Sequence, residues 1–269
     1  MDLSIIIRFH NEAFYLRAVM QALRKQAYGT YEIIGVDNQS TDDSLSIVSE
    51  YADHVISTRD YYPGKALNQA VSHCKGEYIV ALSAHTIPAS CDWLRRLHSR
   101  LTADDQAAGV YGSQLYQVES RFLDKRDLDI FSITEPRTET VDSDFWNANS
   151  IFRRAVWEQQ TFDETVYELE DHYWTKQILP KGYRIHFEPS ALVYHYGHVQ
   201  RLDREHLIPS VHPEEERIAD AIRTLESLDI DWPTAMNAGM LLSSLTHSPH
   251  IRQAIDALGK MLLSYWDFD

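Results

Sequence analysis

Leu3-Ser4-Ile5-Ile6-Ile7-Arg8-Phe9 is the stretch on which the reading of the fold turns. A short apolar, β-branched run of this kind reads as a strand buried on both faces, the sort found inside a parallel sheet. His10-Asn11-Glu12 ends it, and Asn11 is placed to cap a helix with apolar positions at Leu16, Val19, Met20 and Leu23. The alternation then continues. Residues 31–36 form a second strand, Asp37-Asn38-Gln39-Ser40-Thr41-Asp42 a polar turn, and residues 44–51 a helix. Residues 54–57 give a third strand, and Pro63-Gly64 punctuates before a helix carrying Ala66, Leu67, Ala70 and Val71. Residues 77–82 give a fourth strand ending in Ser83-Ala84-His85, and residues 91–101 an amphipathic helix.

Such alternation with short connections predicts an α/β fold of Rossmann-like character, a mostly parallel central sheet with helices on both faces. Ligands of these sheets bind outside the carboxyl ends of the strands. Three polar clusters, residues 8–12, 37–42 and 83–85, fall at those ends and mark one site on one edge. Beyond Gly109 the pattern loosens. Residues 110–118 read as a strand and residues 119–142 as a charged, irregular surface excursion. Phe145-Trp146-Asn147-Ala148-Asn149-Ser150-Ile151-Phe152 resumes as strand. A helix over 167–179 follows, ended by Pro180 and Gly182, then two short strands over 183–187 and 191–195. From Pro213 the pattern is helical, at 213–227, 233–245 and 248–264.

Charge and composition narrow the function. Across 269 residues, 25 Lys and Arg stand against 40 Asp and Glu, a net charge of −15, which argues against nucleic acid and against electrostatic docking on anionic lipid. Two cysteines cannot make a disulfide framework. No apolar run approaches the ~20 residues of a membrane span, and Met1-Asp2-Leu3-Ser4 lacks the basic region of a signal peptide. These features favour a soluble cytoplasmic protein, with peripheral contact at an inner membrane as an option. The turn after the first strand has no glycine, so a dinucleotide fingerprint is absent. So are the phosphate loop of NTPases, a nucleophile elbow, HExxH and paired CxxC.

Ser4-Ile5-Ile6-Ile7-Arg8-Phe9-His10-Asn11-Glu12 followed by Val36-Asp37-Asn38-Gln39-Ser40-Thr41-Asp42 resembles the opening of family 2 glycosyltransferases of the GT-A fold. Gly64-Lys65-Ala66-Leu67-Asn68-Gln69-Ala70 and Lys75-Gly76-Glu77-Tyr78-Ile79 look like the third and fourth landmarks of that family. Glu170-Asp171, ahead of Tyr173-Trp174, resembles its Glu-Asp catalytic motif. The five landmarks stand in the right order over roughly residues 3–198. The resemblance implies a GT-A domain over residues 1–200, with a nucleotide-sugar half (1–115) and an acceptor and catalytic half (116–200). Residues 201–269 then form a helical C-terminal extension.

The resemblance implies an inverting transferase that moves a sugar from a nucleotide-sugar donor to an acceptor hydroxyl, with a saccharide or a lipid-linked acceptor as partner. Bacterial surface polysaccharide synthesis is the setting it points to. Two alternatives stay open: a sugar-phosphate transferase on the same scaffold, and a degenerate, non-catalytic nucleotide-sugar binding domain. The chemistry needs a base for the acceptor proton and positive charge, often a divalent metal, at the departing diphosphate.

Residue roles follow from the motif positions. Asp37 is expected at the nucleotide base or ribose, where a carboxylate suits an N–H or hydroxyl, although helix capping would also account for it. Asn11 and Glu12 share that donor edge. Arg8 and Lys65 are placed to face the pyrophosphate or base, or else are solvated surface cations. Relatives usually carry Asp-x-Asp where this chain has Ser83-Ala84-His85; capsule and rhamnosyl-type transferases show a similar Ser-Ala-His followed by Ile-Pro, as Ile87-Pro88 does here. Imidazole takes Mn²⁺ acceptably and Mg²⁺ poorly, so this exchange favours a softer metal or none. His85 then binds a metal, hydrogen-bonds the diphosphate directly, or is a satisfied buried histidine. His195, with His198 as the alternative, is the expected second member of a two-histidine site. Asp171 is the candidate general base, with Glu170 and Glu168 adding like charge that raises its pKa; helix-dipole preference alone would also place these acids. Trp146 and Asn147 are expected to line the acceptor and sugar pocket, with core packing as the other reading of the tryptophan. The tail reads as a homodimer contact through its helices, as contact to a membrane-linked acceptor, or as a cap on the core.

Overall fold

The run that opens the chain forms β1 (Leu3–Phe9), in which Leu3, Ile5, Ile6 and Ile7 are essentially inaccessible to solvent. It is the hub of the sheet in a computed structural model that describes residues 2–116, 135–166 and 169–196, all within one compact unit. Parallel neighbours flank β1: β2 (Tyr31–Asp37) on one side and β4 (Tyr78–Ser83) on the other, with β3 (His54–Ser57) outside β2. The connecting helices are α1 (Ala13–Arg24), α2 (Ser44–Ser49) and α3 (Pro63–His73). Short β5 (Thr86–Pro88) and α4 (Trp93–Thr102) lead into β6 (Ala107–Tyr116). The second half adds β7 (Arg137–Glu139), β8 (Asn149–Arg153), α5 (Arg154–Gln159), α6 (Glu170–Ile178), one 3-10 turn (Leu179–Lys181) and β9 (Arg184–His195).

Among the described residues the strand order is β3-β2-β1-β4-β8-β6-β9-β5, with β7 also on β9. The expected parallel sheet holds over β3-β2-β1-β4; beyond β4 the sheet is mixed, with β8 antiparallel to both β4 and β6 and with β6 parallel to β9. Period-2 alternation then builds two cores. Ile5 and Ile7 face Leu16, Val19 and Met20 of α1 and Trp93, Leu94 and Leu97 of α4. Ile6 faces the other way, into the cluster of Ala66, Leu67 and Ala70 of α3, Val156 of α5, and Trp174 and Ile178 of α6.

Several local expectations are corrected. Asn11 does not cap α1: it sits at φ 51°, and its side-chain oxygen accepts the backbone N–H groups of Thr41 (2.7 Å) and Asp42 (3.3 Å). In return, Asp42 Oδ2 accepts from Ala13 N–H (3.2 Å) and Ser44 Oγ from Glu12 N–H (2.7 Å), so the two loops cap each other. Part of the presumed excursion, 137–139, is strand, and the strand expected from 145 begins only at Asn149. The two strands expected over 183–187 and 191–195 are one. Glu188-Pro189-Ser190 looked like a break because Pro189 lacks a donor; the chain absorbs it in an irregularity where the β6 register shifts between Gly112 and Gln114. The helices expected over 213–264, the dimer contact through them, Glu168 and His198 all lie outside the described residues. No helix of the described residues is long and apolar enough to cross a membrane.

Gly112 sits at that irregularity. A Cβ there would lie 1.9 Å from Ala191 O and 2.6 Å from Asn149 Nδ2. Gly112→Ala is therefore expected to cost about 1–3 kcal/mol through overpacking against backbone. Chemical denaturation of the purified variant checks this; an unchanged midpoint would mean that the strand pair shifts freely.

Candidate active site

Register brings the polar strand ends together. Arg8 lies beside Val36 on one neighbour and Ser83 on the other, Phe9 lies beside Asp37, and Asp37 beside Ser57. Asp37 is buried, and its Oδ1 accepts Ser40 N–H (2.9 Å). The three non-glycine residues with positive φ among the described residues are Asn11, Gln39 and Leu169, all on loops leading away from strand ends or into α6. Bulky Leu169, at φ 62°, is costly by about 1–2 kcal/mol in that conformation. It turns the chain so that Glu170 and Asp171 occupy the first turn of α6.

The two acids form a compact network. Glu170 is buried, and its Oε1 accepts from Arg8 Nη1 (3.0 Å) and from Asn147 Nδ2 (3.2 Å). Asp171 Oδ2 accepts Asn147 N–H (2.8 Å), and Oδ1 accepts His172 N–H (2.8 Å). Burial, and after it the neighbouring Glu170 carboxylate, push the Asp171 carboxyl up to about 7; the two N–H bonds and Arg8 pull against this. A carboxyl poised there can take a proton near neutral pH. Around Arg8, burial works against the guanidinium charge, but Tyr61, Glu170 and Asp171 more than offset it, so Arg8 stays charged.

Four more of the expected residues stand around or outside this network. Arg8 donates to Glu170 Oε1 (3.0 Å) and to Pro63 O (3.3 Å), which sets it beside the acid pair. Lys65 is a surface cation, 42% exposed, with Asp60 3.7 Å away. Asn147 is buried and grips both acids, with its Oδ1 accepting from Ser150 Oγ (3.3 Å), so it does not line an open pocket. Trp146 meets both readings: it packs on the edge of the second core and lines a cleft. Asn147 as the clamp of the acids was not legible in the sequence, since only the meeting of the 145–148 turn with α6 creates it.

The histidines converge. Thr86 pairs with His195 in the β5–β9 register, and the His85 and His195 rings stack with centroids 5.0 Å apart and planes 21° apart. Nδ1 of His85 lies 3.3 Å from Glu12 Oε1, and Nδ1 of His195 lies 2.6 Å from Gln114 Oε1. Thr86 Oγ1 donates to Ser83 O (2.8 Å) and Ala148 O (3.2 Å), and Ser83 N–H to Ala148 O (3.2 Å), joining the histidine loop to the turn that holds the acids. As a metal site this set is incomplete. No group of three or more His, Cys, Asp or Glu among the described residues is placed to hold a metal ion.

An acid pair with Glu170 buried and Asp171 half-buried, a buried aspartate at the end of β2 and paired histidines thus gather on one edge of an α/β sheet. The sequence profile of glycosyl transferase family 2 matches residues 4–160. The chain belongs to glycosyl transferase family 2. Curated members to which it is similar include a poly(ribitol-phosphate) beta-glucosyltransferase of Bacillus spizizenii, 25% identical over 86% of this chain and 38% of that protein. Another is the O-antigen chain rhamnosyltransferase WbaN of Salmonella anatum, 26% identical over 65% of this chain and 59% of that one. The chain spans about two fifths of the length of the first of these family 2 relatives. Among solved structures, the mannosyltransferase PcManGT of Pyrobaculum calidifontis, in complex with GDP-Man and Mn²⁺, superposes with a TM-score of 0.61 at 18% identity, covering 99% of this chain and 88% of that one. Residues 1–349 of Staphylococcus aureus TarS give a TM-score of 0.56 at 18% identity, covering 100% and 94%. These likenesses are of fold, and they match the α/β architecture with its central sheet.

Proposed function

We infer that this family 2 chain transfers a sugar from a nucleotide-sugar to an acceptor hydroxyl with inversion at the anomeric carbon. The observation that carries the reading is Asp171: a carboxyl raised to about 7 by burial and by Glu170, fixed by two backbone N–H groups on the sheet edge that also holds Asp37 and the paired histidines. The ionised Asp171 takes the acceptor hydroxyl proton. The oxygen then forms a bond to the anomeric carbon from the face opposite the diphosphate, and the bond from that carbon to the diphosphate oxygen breaks. The nucleoside diphosphate leaves with the electron pair. Asp37 contacts the base or ribose, and His85 and His195 serve the diphosphate end of the donor. No step is routed through a metal, because the donor set of the described residues does not make a site for one. Residues 1–115 serve the nucleotide, with Asn11 and Glu12 bracing that edge, and residues 116–200 serve the acceptor. The likeness to a poly(ribitol-phosphate) beta-glucosyltransferase and to an O-antigen chain rhamnosyltransferase supports a surface polysaccharide as the product.

Thermal shift with UDP, GDP, dTDP, CDP and CMP, each with and without Mn²⁺, tests the reading. One nucleotide at ~100 times its Kd is expected to stabilise the protein by about 2.7 kcal/mol, and Asp37→Ala to weaken that ligand by at least about tenfold. Absence of any shift across the panel would count against a nucleotide-sugar enzyme. A phosphodiester in the product would identify a sugar-phosphate transferase instead.

A further inference from the structure

Asn68 is a buried polar residue of α3 that touches neither acid of the pair. Its Nδ2 donates to Phe162 O (2.9 Å) and to Glu164 Oε1 (2.9 Å). Its Oδ1 accepts from Phe162 N–H (3.1 Å) and from Trp157 Nε1 (2.9 Å). A side-chain amide has two hydrogens and two lone pairs, and here each has a partner. Asn68 therefore grips both backbone groups of Phe162, as a neighbouring strand would. Gly64, one turn earlier on α3, permits the close approach: a Cβ there would lie 2.0 Å from Asp163 O. Residues 162–164 are thus pressed onto α3 in one position.

That segment in turn carries α6. The Phe162 and Trp174 rings pack with centroids 5.4 Å apart, and Trp174 Nε1 donates to Gln160 O (2.6 Å). Trp174 is fully buried and lies one helical turn after Glu170, on the same face of α6. The start of α3 reaches the same acid by another route, since Arg8 bridges Pro63 O and Glu170 Oε1. The acids are therefore referred to α3 twice, at its start through Arg8 and at its middle through Asn68, residues 160–164 and Trp174. Displacing a reacting group by ~1 Å can cost on the order of 10² in rate, so a support of this kind bears on catalysis as well as on stability.

We propose that Asn68 is a positioning residue for glycosyl transfer: by fixing residues 160–164 against Trp174 it sets where α6 presents Glu170 and Asp171. The proposal rests on the reading of Asp171 as the base.

Asn68→Ala and Trp157→Phe, compared with the parent, test it. Trp157→Phe removes one bond of Asn68 but leaves both bonds to Phe162, so it controls for simple loss of stability. Asn68→Ala is expected to lower kcat at least about tenfold, with nucleotide affinity within about twofold. Its kcat/KM profile should turn below about pH 7, because a loosened α6 admits water to the Asp171 carboxyl. Amide hydrogen exchange by NMR reads the same link without substrate. The N–H groups of Asn147 and His172, both bonded to Asp171, should exchange at least about tenfold faster in Asn68→Ala. Trp157→Phe should leave kcat, the pH profile and these two exchange rates within about twofold. If Asn68→Ala does not fold, Asn68→Asp carries the test: it keeps the shape and the two accepted bonds but loses the two donors, and the same changes are expected of it. Unchanged kcat and pH profile in the Asn68 variant, or equal changes in Trp157→Phe, overturn the proposal. Failure of the parent reading has a different signature: the exchange rates respond to Asn68 as expected, but Asp171→Asn keeps full turnover.

Discussion

Asp171→Asn is expected to lower kcat by about 10²–10⁴ while leaving nucleotide affinity unchanged, because the amide cannot accept the acceptor proton. Two further readouts separate a base from a structural acid. The first is the pH profile of the unmodified protein. Activity needs the ionised carboxylate, so kcat/KM should rise with pH through about 7, the value to which burial and Glu170 lift Asp171. The second is stability. In the folded chain Asp171 holds its proton to about 7, whereas in the unfolded chain it ionises near ~3.9, so the folded state binds more protons between those values. Its contribution to stability is complete below the lower value and is lost as pH rises through the upper one. Asp171→Asn removes that loss, so its melting temperature relative to the parent should improve from pH 4 to pH 8, even though one backbone N–H loses an acceptor worth about 1 kcal/mol. A variant with near-full turnover would refute the base assignment; one whose relative stability does not move with pH would refute the raised pKa.

Arg8→Met should be the most damaging single change to stability in the site. It leaves Glu170, whose side chain is 7% exposed, without its cation and next to Asp171. Breaking a buried pair by removing one partner costs about 3–5 kcal/mol, on the order of 10 °C in melting temperature for a domain of this size. Arg8→Met combined with Glu170→Gln should recover much of it, since the uncompensated charge is then gone. If the double variant is no better than the single one, Arg8 acts through packing and its bond to Pro63 O rather than through Glu170.

The contrast between Arg8 and Lys65 shows what a sequence can carry. Both are cations in the first, parallel half of the fold, and nothing local separates them. In the fold, one is bonded to an acid 162 positions away and the other sits in solvent beside Asp60. Likewise Glu188-Pro189-Ser190 has the composition of a break, and only the partner strand decides that it becomes an irregularity inside β9. Asn11 has the right type for a cap, yet the loop after β2 claims its oxygen.

The sequence by itself determined the parallel half of the sheet, the order of its strands and helices, and the edge on which the polar clusters gather. Buried strands require unbroken apolar runs, their ends require turn-forming polar residues, and both are local properties of the chain. It also placed Glu170 and Asp171 together on a helix start. Tertiary structure alone decided what the acids touch, that Asn147 clamps them, and that His85 stacks on His195. Those contacts depend on strand register and on packing between segments far apart in the chain, and no periodicity or motif spacing encodes them.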